Sequence, residues 1–245
     1  MTAPHTVLLL GGTGRTGGRV LQELLARGVD VRAVVRSAAR LPAGVAGDPR
    51  LHVVEGDVLG LSDERLAELA RGCDAVVSCL GHTISLAGVF GRPRDLVTRA
   101  ARQVFGALQA LRPERPVRFI LMSSVSVNRP GAHDPRRGHL ERAFLWVLRG
   151  LVPPARDNQR AADFLAGEVG TDDPYLQWVA VRPDSLREGE AAPYALHDGL
   201  VDSLLRPGST TIAAVAGFMA LLVTEPGAWA EWRGRMPVIV TATTR

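Results

Sequence analysis

Short β-branched apolar runs alternate with segments of helical apolar spacing through the first half of the chain. The strand-like runs are Thr6–Leu10, Val29–Val35, Leu51–Glu55, Asp74–Leu80 and Val117–Met122. The helical segments between them are Arg15–Gly28, Ser62–Arg71 and Asp95–Leu111. Because the connections are short, this alternation predicts parallel strands joined by right-handed helical crossovers. We therefore predict an α/β fold built on a doubly wound parallel sheet.

The second half of the chain is less regular. Helical stretches at 140–151 and 157–169 precede a sixth strand, Leu176–Val181. A further helix near 213–224 precedes a last strand at 237–241. We expect a single domain over residues 1–245, in which about residues 184–236 form a small C-terminal lobe that covers a substrate.

A glycine-rich segment lies directly between the first strand and the first helix. It reads Gly11-Gly12-Thr13-Gly14-Arg15-Thr16-Gly17-Gly18. Glycine permits a positive φ, and it lets a pyrophosphate approach the main-chain N–H groups at the start of a helix. In this strand–loop–helix context the pattern predicts a dinucleotide site. The predicted contact residues are Gly11, Thr13, Gly14, Arg15, Thr16 and Gly17.

The end of the second strand indicates which dinucleotide is bound. An NAD site places Asp or Glu there to accept a hydrogen bond from the ribose 2′-hydroxyl, whereas this chain has Arg36 followed by Ser37. Asp30 lies at the opposite end of the strand. Arg36, with Ser37 and Arg15 or Arg40, could bind a 2′-phosphate, which suits guanidinium geometry. We therefore predict NADP(H) as the cofactor.

Two more segments follow predicted strands at the same edge of the sheet. Gly56-Asp57-Val58 follows the third strand, where Asp57 and Val58 could contact the adenine edge. Cys79-Leu80-Gly81 ends the fourth strand, where Gly81 lets the chain pass close to a ribose. Together these segments line the crevice expected at the carboxyl ends of such strands.

In these motifs the chain resembles the atypical short-chain dehydrogenase/reductase family, in particular its NmrA-like, NAD(P)H-binding group. The residues that carry the resemblance are Gly11–Gly17, Arg36, Gly56-Asp57-Val58, Cys79-Leu80-Gly81, Phe119–Val127 and Val181-Arg182-Pro183. The resemblance implies a Rossmann fold, NADP preference through Arg36 and a substrate cleft beneath the C-terminal lobe. It further implies that Ser123 faces the cofactor and that Ser124 bonds a substrate carbonyl. Some members of the family bind NADP to sense redox state.

The family's Tyr-x-x-x-Lys pair is missing. All 29 of the Lys-or-Arg positions in this chain are arginine. The positions of the pair fall on Ala155 and Gln159 or on Arg156 and Arg160. Arg160 could hold the nicotinamide ribose, but a guanidinium stays charged and does not exchange protons.

Another group would then have to donate the proton. Tyr194 and His197 share a predicted loop over the cleft and are the preferred pair, with His82 next and His139 a further candidate. Asp157 opens a predicted helix and is interpreted as its N-cap. Arg182 is interpreted as structural, paired with an acid such as Asp157 or Asp184.

Composition limits the other partners. The formal net charge is +4, and the one basic cluster, Arg129–Arg142, contains Pro and Gly and is interpreted as a solvated loop. The longest apolar stretch, Ile212–Val223, is shorter than the ~20 residues of a membrane span. Cys73 and Cys79 are interpreted as reduced and buried. We expect a cytoplasmic protein with a small-molecule substrate, without nucleic-acid or membrane partners, and leave its oligomeric state open.

These observations favour an NADPH-dependent reductase of a small apolar carbonyl or enone. One alternative is a non-catalytic regulator that senses NADP(H). The other is a non-redox isomerase, lyase or cyclase on the same fold.

Overall fold

The computed structural model describes residues 5–81, 93–130, 138–202 and 208–241. The strands of the main sheet are β1 (Thr6–Leu10), β2 (Asp30–Val35), β3 (Leu51–Glu55), β4 (Ala75–Ser78), β5 (Val117–Met122), β6 (Leu176–Pro183), β8 (Tyr194–His197) and β10 (Val238–Thr241). They are ordered β3-β2-β1-β4-β5-β6-β10-β8, and only β8 is antiparallel to its neighbour. The strand order reverses at β1, which places a crevice between the carboxyl ends of β1 and β4. The predicted doubly wound sheet is confirmed.

The described residues contain seven α-helices, six of which pack against the two faces of this sheet. They are α1 (Arg15–Ala26), α2 (Asp63–Ala70), α3 (Leu96–Leu111), α4 (His139–Leu151), α5 (Pro153–Phe164), α6 (Ile212–Thr224) and α7 (Pro226–Trp232). Side chains alternate along β1, so that Leu8 and Leu10 pack against α2, α3 and α5, whereas Val7 and Leu9 pack against α1, α6 and α7. The central strands of the sheet are therefore buried on both faces, as their nearly continuous apolar sequences require, whereas the edge strand β3 is largely exposed.

The C-terminal region differs from the lobe predicted over about residues 184–236. Helix α6 is buried on nearly all sides and packs beside α1, while β8 and β10 extend the main sheet. A small parallel pair, β7 (Ser185–Arg187) with β9 (Ser209–Thr211), lies outside that sheet. Residues 212–232 thus belong to the helical layers of the domain. Coverage of a substrate cleft by the rest of this region stays a prediction.

Among the described residues, no single helix has the length and apolar character needed to cross a membrane. The pair α6–α7, bent by 101° at its break, passes that test only when its two helices are joined.

Candidate functional site

The glycine loop brings the first turn of α1 against the ends of β1 and β4. Gly11 has a φ of +83°, and a Cβ there would lie 2.7 Å from the carbonyl oxygen of Cys79. A Cβ at Gly17 would lie 2.1 Å from the carbonyl oxygen of Gly11 and 3.0 Å from the Cβ of Cys79. Since both positions exclude any side chain, the loop closes only with glycine at each of them.

The N-terminus of α1 has no capping side chain within the described residues. Its N-cap is Gly14, which makes no side-chain cap bond, and its first turn contains no acidic residue. By contrast, Ser62 accepts from the Arg65 N–H of α2, and Thr211 accepts from the Ala214 N–H of α6, each at 3.2 Å. Free N–H groups and the positive end of the helix dipole favour an anion at the start of α1.

The N-terminus of α3 is occupied by a carboxylate of the protein itself. Asp157 accepts from the Val97 N–H at 2.8 Å, and from the Thr98 N–H at 3.0 Å and hydroxyl at 2.6 Å. Only 1% of Asp157 is exposed. The sequence-based interpretation of Asp157 as the cap of its own helix is therefore wrong. Asp157 lies inside α5, which begins at Pro153, and caps a different helix.

Arg36 follows directly on β2 and is exposed. The next turn is held by β3, because the Ala38 N–H donates to the carboxylate of Glu55. Glu55 has no local sequence signal for this contact, and its carboxylate is an acid that reaches this turn.

Two glutamates from the segment after β7 face the first turn of α1. Arg15 donates to Glu188 from Nε at 2.9 Å and forms an ion pair with it at 2.8 Å, and Arg19 lies 3.8 Å from Glu190. With Arg40 these residues line a cleft of about 500 Å³ beside the glycine loop. The two glutamates were missed because they lie about 170 residues along the chain from the arginines that they contact.

The other predicted cofactor contacts lie at the carboxyl edge of the sheet. Asp57 accepts from the Leu59 N–H at 3.1 Å and so caps a short 3-10 turn, and Val58 is buried. Leu80 packs on the core beneath α2 and α3, and Gly81 is exposed. Burial raises the pKa of the Cys79 thiol to about 12, so this cysteine stays protonated and serves as packing. Contact with a cofactor stays a prediction for all of these residues.

Ser123 and Ser124 follow β5 and differ in their bonding. Ser123 is buried, and its hydroxyl has no hydrogen-bond partner within the described residues. Ser124 Oγ accepts from the Ser126 N–H at 3.2 Å and hydroxyl at 3.1 Å, and its carbonyl accepts from the Val127 N–H at 3.0 Å. Ser124 therefore shapes a tight turn, and its own hydroxyl proton remains available to a second acceptor.

Tyr194 and His197, predicted to act together from a loop, lie in strand β8 and on opposite faces of it. Tyr194 pairs with Thr241, and its ring lies 6.1 Å from that of Phe218 on the α6 face. Burial raises the pKa of its phenol. His197 pairs with Val238, so the two side chains share a face of the sheet, and Val238 packs against Val125 beside Ser124. The structure thus places His197, and not Tyr194, on the face of the sheet where Val238 packs against Val125.

Helix α5 carries the positions of the missing Tyr–Lys pair. The Gln159 amide clamps the main chain of Asn128, accepting from its N–H at 2.8 Å and donating to its carbonyl at 3.1 Å. Arg160 instead faces a cleft shared with Asp57 and the start of α3. His82 lies outside the described residues, and so does the side chain of His139.

Arg182 is fully buried at the end of β6 and donates to main-chain carbonyls. Its Nε reaches Met236 O at 2.9 Å, and one terminal nitrogen reaches Val127 O at 3.2 Å. Asp184, one of its predicted partners, accepts from the Ser185 and Gly208 N–H groups, and burial raises its pKa. These carbonyl bonds join the loop after β5 to the approach to β10, which agrees with a structural role for Arg182.

The larger of the two clefts has a volume of about 880 Å³. It lies between the turn after β3, the start of α3, the end of α4 and the start of α5. Its charged lining residues are Arg94, Arg99, Arg156, Arg160, Asp57, Asp95 and Asp157.

The fold has well-matched solved counterparts. An oxidoreductase of Lactococcus lactis superposes with a TM-score of 0.69 at 21% identity, over 98% of this chain and 92% of that one. An anaerobillin reductase of Escherichia coli O157:H7 superposes with a TM-score of 0.68 at 19% identity, over 98% of each chain. At these identities the likeness concerns the fold.

Sequence comparison reaches further. An uncharacterised chloroplastic protein of Arabidopsis thaliana is 30% identical over 125 residues, which is 50% of this chain and 42% of the relative. The chain thus matches less than half the length of that relative. The model of the family described as NAD(P)H-binding matches residues 11–226, from the glycine loop to the start of α7. This match spans nearly the whole chain and confirms the resemblance: the chain belongs to the NAD(P)H-binding family.

Proposed function

We propose that the protein is an NADP(H)-dependent reductase of a small carbonyl or enone. The observation that carries the proposal is the first turn of α1, which has no capping side chain and can therefore bind a diphosphate through its N–H groups. Gly11 and Gly17 allow the loop to pack closely against this turn. Membership of the NAD(P)H-binding family supports a nicotinamide cofactor, and similar folds belong to an oxidoreductase and a reductase. When bound, the cofactor supplies a hydride.

The preference for NADP(H) rests on charge at the end of β2. Arg36 stands where an NAD site has an acid, and Arg15 and Arg40 line the adjoining cleft. The acid that reaches this turn, Glu55, already accepts from the Ala38 N–H. A 2′-phosphate would accept charge-assisted hydrogen bonds from Arg36, whereas a 2′-hydroxyl would leave the guanidinium without an anion.

Calorimetric titration with NADP⁺ and NAD⁺ tests this preference. We expect the wild type to bind NADP⁺ more tightly than NAD⁺. Arg36→Asp should lower the affinity for NADP⁺ by about tenfold or more without lowering the affinity for NAD⁺. Arg71→Gln, which removes a positive charge at the opposite edge of the sheet, is the matched control. Tighter binding of NAD⁺ by the wild type would refute the NADP assignment, and binding of neither nucleotide would refute the proposed function.

The proton step is assigned to residues on the Val238 face of the sheet. The Ser124 hydroxyl donates to the substrate carbonyl, since Ser126 already supplies the hydrogen bonds that Ser124 accepts. The carbonyl oxygen takes its proton from the His197 imidazolium, which lies on the same side of the sheet as Val125. Gln159 holds the loop that carries Ser124 through its two bonds to the main chain of Asn128, whereas His197 is held by the pairing of β8 with β10.

Oxidation of NADPH across ketones, quinones and enones tests the activity. We expect Ser124→Ala and His197→Gln each to lower kcat by about 100-fold, in the range of a lost general acid. Tyr194→Phe, on the opposite face of the same strand, should leave kcat unchanged. A loss of activity in Tyr194→Phe, together with full activity in His197→Gln, would reverse the assignment.

A second candidate function is a regulator that binds NADP(H) without turning it over. The observation that favours it is the sequence of α5, which presents neither a phenol nor an amine at Ala155 and Gln159 or at Arg156 and Arg160. Under this alternative, NADPH binds tightly but is not oxidised by any of the compounds tested.

A further inference from the structure

The 880 Å³ cleft is separate from the glycine loop and has a different chemical character. Its lining contains neither Gly11–Gly17 nor Ser123 or Ser124 among the described residues, although it includes Asp57 and Arg160, which the sequence predicts as cofactor contacts. It contains four arginines and three aspartates, and its apolar side chains are few. A cleft of this size matches small-molecule sites, but its arginine content is not that of an apolar pocket.

Three of the arginines have no partner of their own. Arg99, Arg156 and Arg160 make no ion pair and no side-chain hydrogen bond within the described residues. Arg156 and Arg160 are one turn apart on α5, so their charges repel each other across the helix surface. Arg99 approaches from the first turns of α3. Among the described residues, the fold thus holds three guanidinium groups around one space without pairing any of them with a carboxylate.

Two of the three aspartates in the lining are already engaged by N–H groups. Asp157 caps α3 through both carboxylate oxygens, and Asp57 accepts from the Leu59 N–H. Asp95 is the remaining acid, and its side chain makes no cap bond. The positive charge of the cleft therefore exceeds what its own acids offset, and its concave shape concentrates that field on a ligand.

The donors in the cleft also define the ligand. The first two residues of α5 are Pro153 and Pro154, which have no N–H, and the first turn of α3 is filled by Asp157. Recognition must therefore come from guanidinium groups, whose planar forks pair with carboxylates or phosphates. We propose that this cleft binds a small molecule with two or more carboxylate or phosphate groups, held by Arg99, Arg156 and Arg160.

The two anion chemistries are distinguished by titrating full-length protein with tricarballylate and with inorganic pyrophosphate. Each titration is run with and without saturating NADP⁺, so that binding at the glycine loop does not contribute. We expect at least one probe to bind wild type equally with and without NADP⁺, and about tenfold more weakly to Arg156→Gln/Arg160→Gln. Arg71→Gln/Arg115→Gln removes the same charge at the opposite edge of the sheet and should bind like wild type.

Three results would overturn the inference. The first is absence of binding by either probe, and the second is equal weakening in the control variant, which would indicate net charge alone. The third is loss of probe binding with NADP⁺, together with weaker NADP⁺ binding by Arg156→Gln/Arg160→Gln, because the arginines would then serve the cofactor. Failure of the proposed function would appear separately, as a wild type that binds a probe but no nucleotide.

Discussion

Helices α1 and α3 both begin at the carboxyl edge of the sheet, yet their first turns have opposite partners. At α1 the N-cap is glycine, and no side chain of the described residues reaches the free N–H groups. At α3 a buried carboxylate from α5 accepts from two N–H groups and a hydroxyl. The unmet N–H groups of a helix start can be satisfied by the protein or by a ligand. The chain supplies the anion at α3 and leaves it to a ligand at α1.

The glycine loop and the uncapped first turn of α1 together form what we call the α1 cradle. The substitution expected to disrupt it most is Gly17→Ala. The new Cβ would lie 2.1 Å from the carbonyl oxygen of Gly11, so α1 or the loop must move. Overpacking a tightly packed site costs up to about 3 kcal/mol of free energy. We therefore expect the affinity for NADP⁺ to fall by about 100-fold. Gly106→Ala is the matched control, because a Cβ at this exposed position in α3 meets nothing within 4 Å. It should stabilise the fold by about 0.5–1 kcal/mol and leave binding unchanged. Unchanged affinity in Gly17→Ala would mean that the loop is not the nucleotide site.

Asp157→Ala removes the carboxylate that caps the start of α3. It leaves the Val97 and Thr98 N–H groups buried without an acceptor, which should lower the free energy of unfolding by about 2–3 kcal/mol. Denaturant unfolding measures the loss. Asp95→Ala removes the residue that is formally the N-cap of α3 but makes no cap bond, and should change stability by less than about 0.5 kcal/mol. Equal losses in the two variants would contradict a cap supplied from α5.

The two helix starts were not equally predictable. The α1 cradle is encoded within one short segment, so the sequence indicates it directly through glycines at the positions that exclude a Cβ. The α3 cap joins residues 60 apart. The sequence around Asp157 contains no pattern that indicates which helix its carboxylate caps. The parallel strand order could be predicted for the same reason as the cradle, since each strand and its following helix are local patterns.

The proposed catalytic side chains illustrate a different limit. In a loop Tyr194 and His197 could act together, but in a strand an odd separation of three places them on opposite faces. Pairing with β10, about 40 residues further on, makes this segment a strand, and a four-residue run has too weak a pattern to reveal that alone. Once the strand is known, the separation of the two side chains follows.

Gly14→Asp tests whether an open start is what makes α1 a nucleotide site. The backbone there is extended, at φ −80° and ψ 166°, which suits an aspartate N-cap. A Cβ would lie 3.3 Å from the carbonyl oxygen of Gly11, a tight contact that the Asn variant shares. We expect NADP⁺ affinity to fall by about tenfold relative to Gly14→Asn, which has the same shape without the charge. Equal affinity in the two variants would show that the diphosphate does not approach this end of the helix.

The smallest expected effect concerns the carboxylates that the protein itself brings to α1. Glu188 pairs with Arg15 at 2.8 Å, but the two side chains are 75% and 58% exposed, so their attraction is weak. Glu188→Gln should free Arg15 for the cofactor and raise NADP⁺ affinity about two- to threefold, an effect that salt should reduce. Glu190→Gln is the matched control, because Glu190 is 96% exposed and lies 3.8 Å from Arg19. If Glu188→Gln instead lowered the affinity for NADP⁺, then Glu188 would position Arg15 in the bound state. The start of α1 would in that case depend, like that of α3, on a carboxylate from a distant part of the chain.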